Sequence, residues 1–103
     1  MIRLSLYRAG EAITGFECKG HAGYAEEGSD IVCAAVSVLT TTCVNALESV
    51  AGVKAKVETA DGYMKALLPD DKSHDAQVIL RFLRQGLSDL AEQYPRYLRL
   101  TEI

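Results

Sequence analysis

Apolar and polar positions alternate at the start of the chain. Ile2, Leu4 and Leu6 interleave with Arg3, Ser5 and Tyr7, which is the period of a half-buried strand. Ala9 to Ala12 reads as a turn and Ala12 to Lys19 as a second strand, so the two predict a hairpin. From Gly20 to Asp30 the pattern fails. Gly20, Gly23, Gly28 and the acidic pair Glu26 and Glu27 predict a loop, mobile by its composition. Asp30 then stands where a helix N-cap is expected, because its carboxylate can accept from the free amides of a first turn. The helix it opens runs from about Ile31 to Val50 and stops at Gly52. It is apolar on nearly every face, which predicts a helix in the middle of the fold. Val53 to Thr59 and Tyr63 to Leu68 read as a second hairpin around Ala60-Asp61-Gly62, since Asp-Gly is a strong turn signal. Ser73 caps a second helix, His74 to about Gln93, with Ala76, Ile79, Leu80, Leu83, Leu87 and Leu90 on one face. Pro95 closes it, and Tyr97 to Ile103 reads as a last strand. The order is ββαββαβ. Hairpins favour antiparallel neighbours, so the expected fold is α+β: one domain over residues 1–103, a mainly antiparallel sheet with two helices packed on it. One unit, a hairpin followed by a helix, occurs twice.

Composition narrows the function. With 103 residues, splitting the chain would leave halves too small to bury their own cores. A net charge of −3 argues against direct nucleic-acid binding through bulk positive charge. The three cysteines, Cys18, Cys33 and Cys43, have no framework spacing. No apolar run at the N-terminus is long enough for a signal sequence. The longest apolar segment, Ile31 to Leu47, is interrupted by Ser37, Thr40, Thr41, Thr42 and Asn45. The expectation is a cytoplasmic protein with reduced thiols and no membrane partner.

Cys33 is the informative residue. It lies three positions after Asp30, in the first helical turn, where unpaired amides and the helix dipole favour an anion. Only a thiolate is a good nucleophile. His21, in Gly20-His21-Ala22-Gly23, lies at the other end of the loop, and a loop of that length can fold back to bring imidazole and thiol together. The imidazole would then activate the thiol and later protonate a leaving amine. Asp30, Cys33 and Ser37 share one helix face. Asp30 either orients the imidazole or only caps the helix. Ser37 either bonds near the site or returns its hydroxyl to the Cys33 carbonyl. The helix-start amides offer a place for an oxyanion. The competing reading makes Cys33 a small core residue and His21 a loop histidine. Cys18 and Cys43 read as structural; Cys43 lies about 15 Å along the helix from Cys33. That distance, with no Cys-x-x-Cys pair, disfavours zinc, and no cofactor is expected. His74 and the acidic runs Glu26-Glu27 and Asp70-Asp71 read as solvated.

Gly20-His21-Ala22, followed by Asp30-Ile31-Val32-Cys33-Ala34-Ala35-Val36-Ser37, resembles the ribosomal-processing cysteine protease family, Prp, also described as YsxB-like. The resemblance covers essentially the whole chain. It implies a catalytic pair at His21 and Cys33, with the motif aspartate and serine at Asp30 and Ser37. It also implies a cysteine endopeptidase that removes a short N-terminal extension from the precursor of large-subunit ribosomal protein number twenty-seven, during ribosome assembly. It further implies a homodimer whose glycine loop moves to admit substrate. Two other classes compete with this. One is a noncatalytic ribosome-associated assembly factor binding the same precursor. The other is a thiol redox sensor built on Cys33.

Overall fold

The computed structural model describes residues 1–26, 30–70 and 73–103. Five strands and two helices follow in the expected order: β1 (Ile2–Ala9), β2 (Ala12–Lys19), α1 (Ile31–Ser49), β3 (Lys56–Ala60), β4 (Tyr63–Leu67), α2 (His74–Gln93) and β5 (Leu98–Glu102). The strands make one sheet in the order β3-β4-β2-β1-β5. Its core face carries Ile2, Leu4, Leu6, Ile13, Phe16, Ala66 and Leu98, all buried with the apolar stripes of both helices. Each large apolar side chain among them contributes roughly 1.5–3 kcal/mol when fully buried, so this two-layer core fixes the frame on which the loops are hung.

A bulge keeps β2 in register with the core. Tyr7 pairs with Gly15 but Arg8 pairs with Ile13, so Thr14 is the extra residue and Ile13 turns inward. The Gln77 side chain of α2 closes the irregularity by accepting from Ile13 N at 2.8 Å and donating to Ile13 O at 2.9 Å.

The sheet is mainly antiparallel, as expected, and carries one parallel pair: β5 runs alongside β1 in the same direction, with Ile2 opposite Leu98 and Leu6 opposite Glu102. A strand that returns after a helix can land in either direction, whereas a hairpin partner cannot. Two expectations are corrected. β3 begins at Lys56 rather than Val53: Val53 is buried and its N–H donates to Leu47 O at 2.8 Å, locking the end of α1. Finally, α1 is not enclosed on all sides. Only Val32, Val36, Thr40, Cys43 and Leu47 are buried, while Ile31 is 56% and Val38 64% exposed. Both helices lie on the same face of the sheet, so α1 has an outer side. By length and composition α1 would also pass for a membrane span, but its buried stripe packs into the domain core. On that stripe the Thr40 hydroxyl donates to Val36 O at 2.8 Å.

Candidate active site

The expected pair meets in one cavity. A cleft of about 340 Å³ lies between the first half of α1 and the β3–β4 hairpin, and its lining includes His21, Cys33, Ser37, Cys18, Asp61 and Gly62. Cys33 reaches it from the first turn of α1, and His21 from the segment leaving β2. The Ala22 amide, next to His21, donates to Cys33 Sγ at 3.3 Å. Among the described residues no hydrogen bond joins the imidazole to the thiol; the polar contact at the sulfur is this backbone donor.

In the segment after β2 that composition predicts to be mobile, Gly20, Ala22, Tyr24 and Ala25 each make a defined contact. Gly20 N donates to Gly62 O at 2.8 Å. Gly20 has φ +93°, and a Cβ there would collide with the Met1 carbonyl, so no other residue fits this exit from β2. Ala22 is buried. The Tyr24 ring stands edge-on to Tyr94 and Tyr97, with centroids 5.7 and 5.1 Å away. Gly28 and Glu27 lie outside the described residues, as do Ser29 and Asp71. Glu26, Asp70 and His74 are exposed.

Asp30 explains both the loop path and the helix start. It is the N-cap of α1, and its Oδ1 accepts from Val32 N at 2.9 Å and Cys33 N at 3.0 Å. Its Oδ2 accepts from Tyr24 N at 2.9 Å and Ala25 N at 3.3 Å. Burial of the carboxylate works against its charge, but the four amides outweigh burial and hold the carboxyl below its ordinary range. Asp30 thus spends both oxygens on backbone, one on the helix start and one on the segment that follows His21. The same bonds engage the Val32 and Cys33 amides, two of the helix-start donors expected to serve an oxyanion. Ser37 lines the cleft one turn beyond Cys33.

The structural role expected for Cys18 is too narrow. Cys18 lines the same cleft as Cys33 and is half-buried. Burial pushes its thiol up to about 11, and the nearby charge of Cys33 adds in the same direction. The signal is present in the sequence: Cys18 has the same strand parity as buried Phe16, so it faces α1. Cys43 is buried away from this cleft, facing α2, and burial pushes its thiol up to about 12. Among the described residues no group of three or more His, Cys, Asp or Glu side chains is placed to hold a metal.

A thiol at a helix start, touched by an amide and sharing a cleft with an imidazole, is equipment for acyl transfer. Comparison with known proteins points the same way. Residues 1–99 match the family described as cysteine protease Prp. The ribosomal processing cysteine protease Prp of Bacillus subtilis (strain 168) is 31% identical over 108 residues, covering 98% of this chain and 96% of the relative. The crystal structure of an essential ribosomal processing protease Prp from S. aureus, in complex with a covalently linked product peptide, superposes with a TM-score of 0.94 at 27% identity and covers 100% of both chains. The same S. aureus protease with a substrate peptide gives a TM-score of 0.89, again at 27% identity over 100% of both chains. With the match running almost end to end in sequence and in fold, this chain belongs to the cysteine protease Prp family.

Proposed function

We propose that this protein is a cytoplasmic cysteine endopeptidase with a Cys33–His21 dyad. Its substrate would be the precursor of large-subunit ribosomal protein number twenty-seven, from which it removes an N-terminal extension during ribosome assembly. The observation that carries the dyad is the 3.3 Å contact between Ala22 N and Cys33 Sγ, which sets the residue beside His21 on the nucleophile. The substrate rests on the ribosomal processing role named for the B. subtilis and S. aureus relatives and on the motif resemblance.

The chemistry follows from these groups. His21 takes the Cys33 thiol proton, and Cys33 Sγ attacks the scissile carbonyl carbon, forming a C–S bond while the C=O electron pair moves to oxygen. The carbonyl reforms as the C–N bond breaks, and His21 gives its proton to the leaving amine. The acyl group is left on sulfur. His21 then takes a proton from water, whose oxygen attacks the thioester; the C–S bond breaks and the carboxylate product leaves. The Ala22 N–H is the amide positioned at the sulfur to hold charge on it.

Cys33→Ala and His21→Ala should each abolish cleavage of a precursor peptide without lowering the melting temperature. Cleavage by Cys33→Ala at the wild-type rate would end the proposal. Complementation by both variants in a cell that depends on this protein would favour the noncatalytic assembly factor instead.

The dimer implied by the resemblance is part of the proposal. Between α1 and α2 lies an apolar groove lined by Val38, Leu39, Val78, Ile79 and Phe82, with Phe82 73% exposed. It has the composition of a surface that a second copy covers. Phe82→Arg should convert a dimer to a monomer in analytical ultracentrifugation. A wild-type protein that sediments as a monomer at micromolar concentration would remove the dimer from the proposal.

A further inference from the structure

His21 has a second neighbour, on the side of the cleft away from α1. Its Nε2 lies 4.0 Å from Asp61 Oδ1. Beneath the ring is Gly62: a Cβ built there would stand 2.7 Å from His21 Nε2, 3.2 Å from Cε1 and 3.3 Å from Cδ2. The ring therefore fits this turn only because Gly62 has no side chain. Gly62 also has φ +64°, which suits glycine at the turn. The Gly20 N to Gly62 O bond of 2.8 Å ties the backbone just before His21 to the same turn. Three contacts thus converge on one two-residue turn: a backbone bond, a ring seat and a carboxylate.

The orientation matters for the chemistry. The ring atoms nearest Gly62 are Nε2 and its two carbon neighbours, so Nδ1 is the nitrogen turned away from the turn. An imidazole that presents Nε2–H to a carboxylate keeps Nδ1 as its basic nitrogen. The other acidic side chain at the site, Asp30, has both oxygens on backbone amides. The titratable side chains that line the cleft with His21 are Asp61 and Tyr63 from the β3–β4 hairpin, Cys33 from α1 and Cys18 from β2, and of these Asp61 is paired with the imidazole.

We infer that the Asp61-Gly62 turn positions the catalytic imidazole: Gly62 seats the ring, and Asp61, 4.0 Å from Nε2, draws that nitrogen toward the turn, with Nδ1 left for the Cys33 thiol. Asp61 is a positioning residue, acting on the reaction through His21. The inference rests on the dyad proposed above. Because the Asp61 side chain is 87% and that of His21 55% exposed, the pair is screened by water, and its effect is modest beside loss of the dyad.

The test uses two readouts, iodoacetamide alkylation of Cys33 in the absence of peptide, and cleavage of a precursor peptide. Asp61→Ala should slow both by about two- to fivefold at neutral pH, through kcat rather than KM. Asp61→Glu should restore most of the loss, and the melting temperature should not move. Gly62→Ala, which occupies the ring seat, should slow both readouts by about tenfold or more. If Asp61→Ala matches wild type in both readouts while His21→Ala is slow, the positioning role is overturned and the dyad stands. An Asp61→Glu variant as slow as Asp61→Ala overturns the positioning role in the same way. If His21→Ala itself alkylates and cleaves at the wild-type rate, the dyad falls and the role of Asp61 falls with it.

Discussion

The two helices begin in the same way and come to different ends. Each follows a hairpin, and each opens on a short polar side chain that accepts a first-turn amide. At α2 the cap is Ser73, which accepts from Ala76 N at 3.4 Å and sits exposed at the surface. At α1 the cap is Asp30, buried, with one oxygen on the helix and the other on Tyr24 and Ala25 of the preceding segment. A carboxylate has a second oxygen, and here it fastens the strand-to-helix segment that carries His21 to the turn that carries Cys33. The difference between the halves is thus one of reach: the first unit joins its hairpin to its helix beside His21 and Cys33, and the second supplies a turn and a wall.

The contrast is sharpest in activity. Asp30→Ala should reduce peptide cleavage by about 100-fold, because freeing Tyr24 and Ala25 lets the Ala22 amide and His21 drift from Cys33. Ser73→Ala should leave cleavage within about twofold of wild type. Equal losses in the two variants would show that Asp30 only caps. In stability the two should differ less: each loss of a cap lowers the melting temperature by about 5 °C. The smallest effect is in pH. Since the Asp30 carboxyl is held below its ordinary range, its contribution is present at neutral pH and is lost as pH falls through the folded-state value. The melting-temperature gap between wild type and Asp30→Ala should therefore narrow on going from neutral pH to about pH 2. A gap for Asp30→Ala that does not change with pH would refute the charge-based part of the contrast.

Local pattern makes most of this fold legible. The alternation of Ile2, Leu4 and Leu6, the Asp61-Gly62 turn, and the caps Asp30 and Ser73 each announce their element within a few residues, and the structure has each element in the expected place. What escapes depends on partners distant in sequence. Val53 continues a strand-like alternation but is taken by the end of α1. The direction of β5 is set by where α2 delivers it. At the site, His21 and Cys33 are legible as a thiol at a helix start and an imidazole within loop reach. Asp61 reads in sequence as a turn residue only, because its approach to His21 joins segments some forty residues apart in the chain. The oxyanion reading meets a competitor that local pattern also announces: a good N-cap engages helix-start amides that an anion would use.

The paths of the two chain ends have a practical consequence. Gly20 packs against the Met1 carbonyl and Ile2 lines the cleft, whereas Ile103 bonds to Leu6 and Arg8, toward the other end of β1. A purification tag or fluorophore joined ahead of Met1 therefore starts beside the cleft that holds Cys33 and His21. The same label joined after Ile103 starts at the far end of the strand and leaves that cleft open, which makes the carboxyl end the place for a reporter in any assay of this protein.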